Sequence, residues 1–231
     1  MSALLRCTVA GFLAAAGLVA CGHGSNVASQ SSTSSRESTS TAGATEQVIL
    51  KPVDAQGNTT AGYTKDDTYL DSRPIDCSFG EPSVHDVTSG VLDCGGTADN
   101  GDACWPTAHG THVLCLLDPF QNVVFVRTAK GGNDPLKTRT HPPVPIGLIL
   151  DDGTQCRFRV GGAGSRQVTH PDWVEAYTCT GSPNTFPSVW TPGDSVDGID
   201  HTSDARTVQF GGSQEPLTTR KVTKALFVGM G

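Results

Sequence analysis

The sequence predicts an all-β domain held together by disulfide bonds, built either as an antiparallel β-sandwich or as two tandem small β lobes. Beyond residue 45, apolar and β-branched side chains occur in short runs separated by Gly, Pro, Asn and Asp, which is the pattern of strands and turns. No segment of 10 residues keeps the i, i+3, i+4, i+7 apolar spacing of an amphipathic helix. The chain also holds 8 cysteines. These observations favour cross-linked strands over helices.

Composition excludes several classes of protein. With 231 residues, of which 36% are hydrophobic and 17% charged, the chain is too long for a disulfide miniprotein and too apolar for a fully disordered protein. Its net charge of −7 argues against nucleic acid as a partner, because a phosphate backbone requires a surplus of Lys and Arg. The charge is uneven: residues 46–126 carry 3 basic and 12 acidic side chains, whereas residues 127–231 carry 11 and 10.

The first 20 residues have the features of a secretory signal peptide. Arg6 and the free amine give a positive start, and residues 7–20 form an apolar stretch of 14 residues, interrupted at Thr8. That stretch is shorter than the roughly 20 residues that span a bilayer. We therefore expect residues 1–20 to direct export of the chain.

The end of this segment predicts a lipid anchor. Leu18, Val19, Ala20 and Cys21 stand in sequence, and this tetrad resembles the lipobox of bacterial lipoproteins. The resemblance implies that signal peptidase cuts before Cys21 and that its thiol carries a diacylglyceryl group. Two or more acyl chains, palmitate for example, anchor a domain stably at about 0.8 kcal/mol per buried methylene. The alternative is an ordinary secreted protein in which the cysteine has no such role.

A tether separates the predicted anchor from the domain. In residues 22–45, 12 of 24 side chains belong to Ser or Thr. The small apolar surface of this segment cannot offset the entropy lost when the segment becomes ordered. We therefore expect residues 21–45 to be a lipidated cysteine followed by a flexible tether. Composition and tether resemble those of actinobacterial, mycobacterial-type lipoproteins. No motif beyond the tether assigns the domain to a family.

The remaining residues, 46–231, are expected to form the all-β extracytoplasmic domain, with possible lobes at 46–130 and 131–231. An Asp-Gly turn at residues 152–153 predicts a hairpin between two of the strands, and residues 99–102 are interpreted as another turn. Ten strands are predicted, at residues 47–50, 91–94, 112–117, 123–128, 146–150, 154–160, 174–180, 188–191, 205–210 and 221–228.

Six cysteines lie in the predicted domain, and an even number in an exported protein favours three disulfides. A zinc site would be indicated by a C-x-x-C pair, and the sequence contains none. Six cysteines allow 15 pairings. A weak internal repeat narrows the choice of pairing. Twice along the chain, two cysteines lie in a pair of strands joined by a hairpin, and an extra strand with an aromatic residue follows. We therefore predict Cys104–Cys115 and Cys156–Cys179, which leaves Cys77 with Cys94.

The sequence contains two groups of candidate catalytic or metal-binding residues. The strings G-x-S-x-G, G-x-x-x-x-G-K-[ST] and H-E-x-x-H are missing. His109 and His112 lie three apart within one hairpin and could supply two zinc ligands, but Gly and Thr between them offer neither a base nor a third ligand. An acidic loop at residues 194–204 could supply oxygen ligands to calcium, although its spacing differs from that of an EF-hand. Its carboxylates are Asp194, Asp197, Asp200 and Asp204.

We expect a lipid-anchored lipoprotein on the extracytoplasmic face of the cell membrane, acting as a binding or accessory module for an envelope protein or ligand, without a cofactor. One alternative is an envelope hydrolase or metal-dependent enzyme that uses the His pair or the acidic loop. Another is a structural surface protein without a ligand. An enzyme should hold a pKa-shifted His or carboxylate in a polar pocket, a binder an apolar groove or exposed patch, and a structural protein neither.

Overall fold

In its described part the chain forms 15 strands and no helix. A computed structural model describes residues 36–39, 43–71, 73–95, 101–131, 136–161, 165–181, 186–193, 197–200 and 202–231. The strands in chain order are β1 (Arg36–Thr39), β2 (Glu46–Leu50), β3 (Thr64–Asp66), β4 (Ile75–Cys77), β5 (Leu92–Cys94), β6 (Gly101–Pro106), β7 (His112–Cys115), β8 (Val123–Gly131), β9 (Gly147–Leu150), β10 (Gln155–Phe158), β11 (Trp173–Cys179), β12 (Ser188–Pro192), β13 (Ile199–Asp200), β14 (Thr207–Gly211) and β15 (Thr218–Val228).

The carboxyl-terminal half of the chain forms a closed antiparallel barrel. Strands β15, β9, β10, β11, β12 and β14 are hydrogen-bonded in that order, and β14 also pairs with β15. The ring closes because β15 is 11 residues long, so that its first part pairs with β14 and its second part with β9. Closure removes the unpaired edges that an open sheet exposes. The barrel core includes Leu148, Leu150, Tyr177, Val189, Val208, Val222, Ala225 and Phe227.

The amino-terminal half is organised around the long strand β8. Strands β3 and β4 both pair in parallel with β8, one beyond the other, while β7, β6 and β5 follow on its other side. The fully buried indole of Trp105, on β6, lies in the core of this half. We call this cluster the Trp105 core; it also includes Val48, Leu50, Val91, Leu114, Leu116, Val124, Leu226 and Val228.

The two halves share strand β15. Its last residues read Ala225, Leu226, Phe227, Val228, and successive side chains of a strand point to opposite faces. Leu226 and Val228 lie in the Trp105 core, whereas Ala225 and Phe227 lie in the barrel core. Strand β2, from the amino-terminal half, pairs in parallel with this part of β15. The lobes predicted at residues 46–130 and 131–231 are therefore joined through a common strand.

The structure confirms the all-β class and the three predicted disulfides, Cys77–Cys94, Cys104–Cys115 and Cys156–Cys179. The last two join residues that face each other directly in antiparallel pairs, β6 with β7 and β10 with β11. In both cases the next strand, β8 or β12, continues the meander. The internal repeat seen in the sequence is thus a repeated three-stranded unit with a cross-strand disulfide.

All ten predicted strands are present with small shifts of their ends, and five strands were not predicted. β3, β4 and β13 have two or three residues, too few to show alternation. The interpretation of residues 99–102 as a turn is wrong for Gly101 and Asp102, which begin β6. Gly, Asp and Pro are poor strand formers, and here the sheet and the Cys104–Cys115 bridge override that preference.

The predicted tether extends too far into the fold. Strand β1, at Arg36–Thr39, pairs antiparallel with β2 along its whole length. Thr45 is buried, and its hydroxyl donates a 2.8 Å hydrogen bond to the carbonyl of Val222. Backbone pairing at a sheet edge needs no apolar side chain, so a Ser/Thr-rich segment can add a strand.

Candidate functional site

A groove of about 850 Å³ lies beside the connection between the two halves of the chain. One wall is that connection, residues 137–144, the other is formed by Glu81, Pro82 and Val84, and Asp197 also lines the groove. Its surface is mainly apolar, because Val84, Pro142, Pro143 and Val144 line it together with side-chain methylenes. We call it the linker groove.

Backbone hydrogen bonds at two points create the groove. The amide of Lys137 donates to the carbonyl of Gly80 at 2.9 Å, and the amide of Val144 donates to the carbonyl of Val84 at 2.9 Å. Between these bonds the linker is longer than the segment that it faces, so it arches away. Pro142 and Pro143 have no N–H to donate and restrict the backbone. The arch leaves the space that forms the groove.

Two buried side chains hold the end of the linker. Nδ1 of His85 lies 2.9 Å from the carbonyl oxygen of Val144, and the hydroxyl of Tyr177 donates a 2.9 Å hydrogen bond to the carbonyl of Pro145. The ring of Phe158 lies between them, with its centroid 4.8 Å from that of His85 and 5.4 Å from that of Tyr177, both edge-on. The wall of the groove is therefore fixed to the barrel.

His85 also connects this wall to the amino-terminal half. Its ring is fully buried, and Nε2 lies 3.2 Å from Oδ2 of Asp102 on β6. Ser83 supports the arrangement, since its hydroxyl donates to the Asp102 carbonyl at 2.5 Å and accepts from the His85 amide at 3.2 Å. The Ser83 hydroxyl does not face either imidazole nitrogen of His85. Ser83, His85 and Asp102 are therefore not arranged as a nucleophile with its general base.

A half-buried carboxyl group, that of Asp93, lies near His85. Burial and, after it, the charges of Asp102 and Glu81 raise the pKa of Asp93 from 3.8 to about 6, while the charge of His85 acts in the opposite direction. Oδ1 of Asp93 has no hydrogen-bond partner within the described residues. Asp93 does not line the linker groove. The carboxyl with a raised pKa is thus separate from the linker groove.

Charged side chains of both signs line the groove, together with His141. The Lys137 ammonium and the Glu81 carboxylate form an exposed ion pair. Arg139 and His141 lie on the same strip of linker and make no hydrogen bond or ion pair within the described residues. Asp197 is 8% exposed, and its Oδ1 accepts the amide of Ile199 at 3.1 Å.

The structure places the His pair on the hairpin between β6 and β7, away from the groove. His109 is exposed in the turn, and His112 begins β7, with its Nδ1 3.0 Å from the hydroxyl of Thr111. In the described part of the chain no three His, Cys, Asp or Glu side chains lie close enough to hold a metal ion. The hairpin therefore offers two imidazoles without further ligands.

The acidic loop is described in part. Asp194 lies outside the described residues, as does Cys21. Asp200 and Asp204 are exposed, and Oδ1 of Asp200 accepts the amide of Thr202 at 2.8 Å, as in an ordinary Asx turn. Asp197 instead lines the linker groove.

Sequence reasoning missed the groove, although residues 137–144 carry a signal that could have indicated it. The stretch KTRTHPPV combines cations with two prolines between predicted strands, as an exposed, extended and basic connection would. Nothing local shows that Val84 lies across from it, because that contact depends on the fold of the amino-terminal half.

The groove thus combines apolar walls held by buried hydrogen bonds with one guanidinium, that of Arg139, that has no partner among the described residues. None of the described residues forms a helix long and apolar enough to cross a bilayer. Comparison with known proteins finds no matching family model, no matching curated protein and no matching solved structure.

Proposed function

We propose that this protein is a lipid-anchored binding module on the extracytoplasmic face of a bacterial cell membrane, and that the linker groove is its ligand site. The lipobox-like tetrad ending at Cys21 supports the anchor. Three disulfides support an oxidising compartment, because such bonds persist outside the cytoplasm. The single observation that carries the binding role is the apolar groove of about 850 Å³.

The linker groove distinguishes a binding module from an enzyme and from a structural protein. A structural protein needs no fixed apolar concavity, and here side chains from both halves hold its wall in place. An enzyme would direct a polar, pKa-shifted group into the cavity, but Asp93 lies outside the groove lining. The volume lies in the range of about 300–1,000 Å³ that is typical of small-molecule sites.

The anchor is tested by a Cys21→Ala substitution. Wild-type protein should fractionate with membranes, and its amino-terminal peptide should carry the mass of a diacylglyceryl group. The variant should lose both properties, because no other residue of residues 22–45 offers a thiol for acylation. Unchanged membrane association of the variant would contradict the proposal.

The ligand site is tested with the neutral fluorescent probe Nile red. Its emission should rise on binding to the wild-type protein and should lose at least about tenfold in affinity in Val84→Glu, which puts a charge on the apolar wall. Val174→Glu is the matched control, since Val84 is 39% and Val174 37% exposed and Val174 lies on β11 outside the groove. Any background from the lipid anchor is common to all three proteins.

Equal loss in both variants would mean that the probe senses general surface charge, and equal binding would place the probe elsewhere. Either result would contradict the linker groove as the ligand site. Circular dichroism and the urea midpoint of each variant should match wild type, because both valines are partly exposed.

A further inference from the structure

We propose that the ligand of the linker groove is a single straight-chain amphiphile with a carboxylate head, of the fatty-acid class, with its chain against the proline wall and its head at Arg139. This inference rests on the proposed function and names the chemistry that the same site would select. Three features of the groove carry it: an apolar interior, an unpaired guanidinium, and acidic neighbours that are already satisfied.

The interior suits a hydrocarbon chain. Pro82, Val84, Pro142 and Pro143 present carbon to the groove, and proline contributes no amide hydrogen that a chain would leave unsatisfied. Val84 is one of the few large apolar side chains that stay exposed among the described residues. Covering this surface with a chain stabilises the complex by roughly 25 cal/mol per Å² of apolar area.

The rim suits a carboxylate. Arg139 is partly exposed and has no acidic or hydrogen-bonding partner within the described residues, so its guanidinium is available for two parallel hydrogen bonds to a carboxylate. His141 is exposed two residues along the same strip and can donate a further hydrogen bond.

The acidic side chains of the groove do not cancel this attraction. Glu81 is neutralised by Lys137. Asp197 lines the groove but is mostly buried, and the Ile199 amide donates to it. A cationic ligand would therefore find one occupied carboxylate and one buried carboxylate, whereas an anionic ligand finds Arg139, which has no partner among the described residues.

The shape favours one molecule over a membrane surface. The apolar residues line a concave space between two walls rather than a protruding patch, and a volume of about 850 Å³ matches one small amphiphile. A bilayer-binding surface would instead present exposed apolar and basic side chains on a convex face.

Displacement of Nile red tests this ligand class. Dodecanoate should displace the probe from wild-type protein at lower concentration than 1-dodecanol, which has the same chain without the charge. Arg139→Gln should weaken dodecanoate about tenfold and leave 1-dodecanol within about twofold, because loss of a charge-assisted hydrogen bond affects the anion. Arg157→Gln is the matched control: Arg157 is exposed on β10, outside the linker groove, and also lacks an ion pair among the described residues.

The outcomes separate this inference from the proposed function. If both amphiphiles displace the probe equally and Arg139→Gln changes neither, the groove is a binding site but the carboxylate inference is wrong. If neither displaces it although Nile red binding is still lost in Val84→Glu, the groove is a binding site but the amphiphile inference is wrong. If anionic phosphatidylglycerol vesicles bind the protein and this binding requires Arg139, the cation serves a bilayer and the single-molecule inference is wrong.

Discussion

The imidazole of His85 and the carboxylate of Asp102 form a buried link, in which Nε2 and Oδ2 lie 3.2 Å apart. This link joins strand β6 to the connection that follows the first half of the chain. The other ring nitrogen faces the carbonyl of Val144 at 2.9 Å, so both nitrogens lie against oxygen acceptors. Because Val144 lines the linker groove, the link joins the two halves at a wall of that groove.

Substitution of either partner should be strongly destabilising. His85→Ala removes the hydrogen-bond partner of the Asp102 side chain and of the Val144 carbonyl, which should lower the free energy of unfolding by about 3 kcal/mol. Asp102→Ala should cost a similar amount, and the double variant should cost less than the two single effects together, by about 1–3 kcal/mol. Urea unfolding of the four proteins measures this coupling, and strict additivity would contradict a direct link.

Asp93 should make the protein less stable as the pH rises between 4 and 6. Burial raises its pKa from 3.8 to about 6, so in this interval the folded protein holds a proton that the unfolded chain has released. The unfolded state then binds fewer protons, and the free energy of unfolding falls with increasing pH. Because water still reaches part of the carboxyl, we expect a loss of roughly 1–2 kcal/mol rather than the full value of the pKa difference.

Asp93→Asn isolates this effect. The amide cannot ionise, so its stability should not decline between pH 4 and 6, and at pH 7 the variant should be more stable than wild type. Urea midpoints at several pH values measure the difference. Three carboxylates act in a different interval: the pKa values of Asp54, Asp66 and Asp76 are lowered by hydrogen bonds, so their contributions are lost below pH 4. Parallel pH profiles for the two proteins would rule out a buried, raised Asp93.

Gly101 should be irreplaceable because of the disulfide beside it. A Cβ at this position would overlap Sγ of Cys104 and lie 2.9 Å from Sγ of Cys115. Gly101→Ala should therefore destabilise the protein by about 1–3 kcal/mol and increase reduction of this bridge by dithiothreitol. Gly153→Ala is the comparison: its φ is +85° and nothing lies near the added Cβ, so it should cost about 1 kcal/mol through backbone strain and leave the bridge unchanged. Equal reduction of the bridge in both variants would contradict the steric argument.

The three disulfide pairs should appear directly in a non-reducing peptide map. Peptides containing Cys77 and Cys94 should migrate together, as should those containing Cys104 and Cys115 and those containing Cys156 and Cys179. The native protein should contain no titratable thiol among these six cysteines. Alanine replacement of both Cys156 and Cys179, whose separation is 23 residues, should cost about 3 kcal/mol through the entropy of the unfolded chain. A mixed pairing in the map would contradict the observed strand register.

Much of the fold could be predicted because its determinants are local. Asp152 and Gly153 specify the turn between β9 and β10. The pairing of β10 with the next strand, β11, places Cys156 opposite Cys179. The spacing of cysteines and aromatic residues repeats because the three-stranded unit repeats. Sequence periodicity and turn chemistry are enough to predict such elements, since neighbouring residues supply their hydrogen bonds.

The candidate site could not be predicted in the same way. His85 has no local pattern that distinguishes it from a surface histidine, and its partners are 17 and 59 residues away along the chain. The groove forms where the linker meets Val84, a contact that exists only after both halves have folded. Barrel closure also depends on a distant pairing, that of β15 with β9.

Strand β15 provides a test of the shared architecture. A strand with one buried face tolerates substitution at every second position, but Leu226 contacts the Trp105 core and Phe227 the barrel core. Leu226→Ala and Phe227→Ala should therefore each lower the free energy of unfolding by about 2–5 kcal/mol, because both leave cavities. Lys221→Ala, at an exposed position of the same strand, should change it by less than about 0.5 kcal/mol. If either core substitution is as mild as the lysine control, β15 has one solvent-facing side and the two halves do not share it as a common wall.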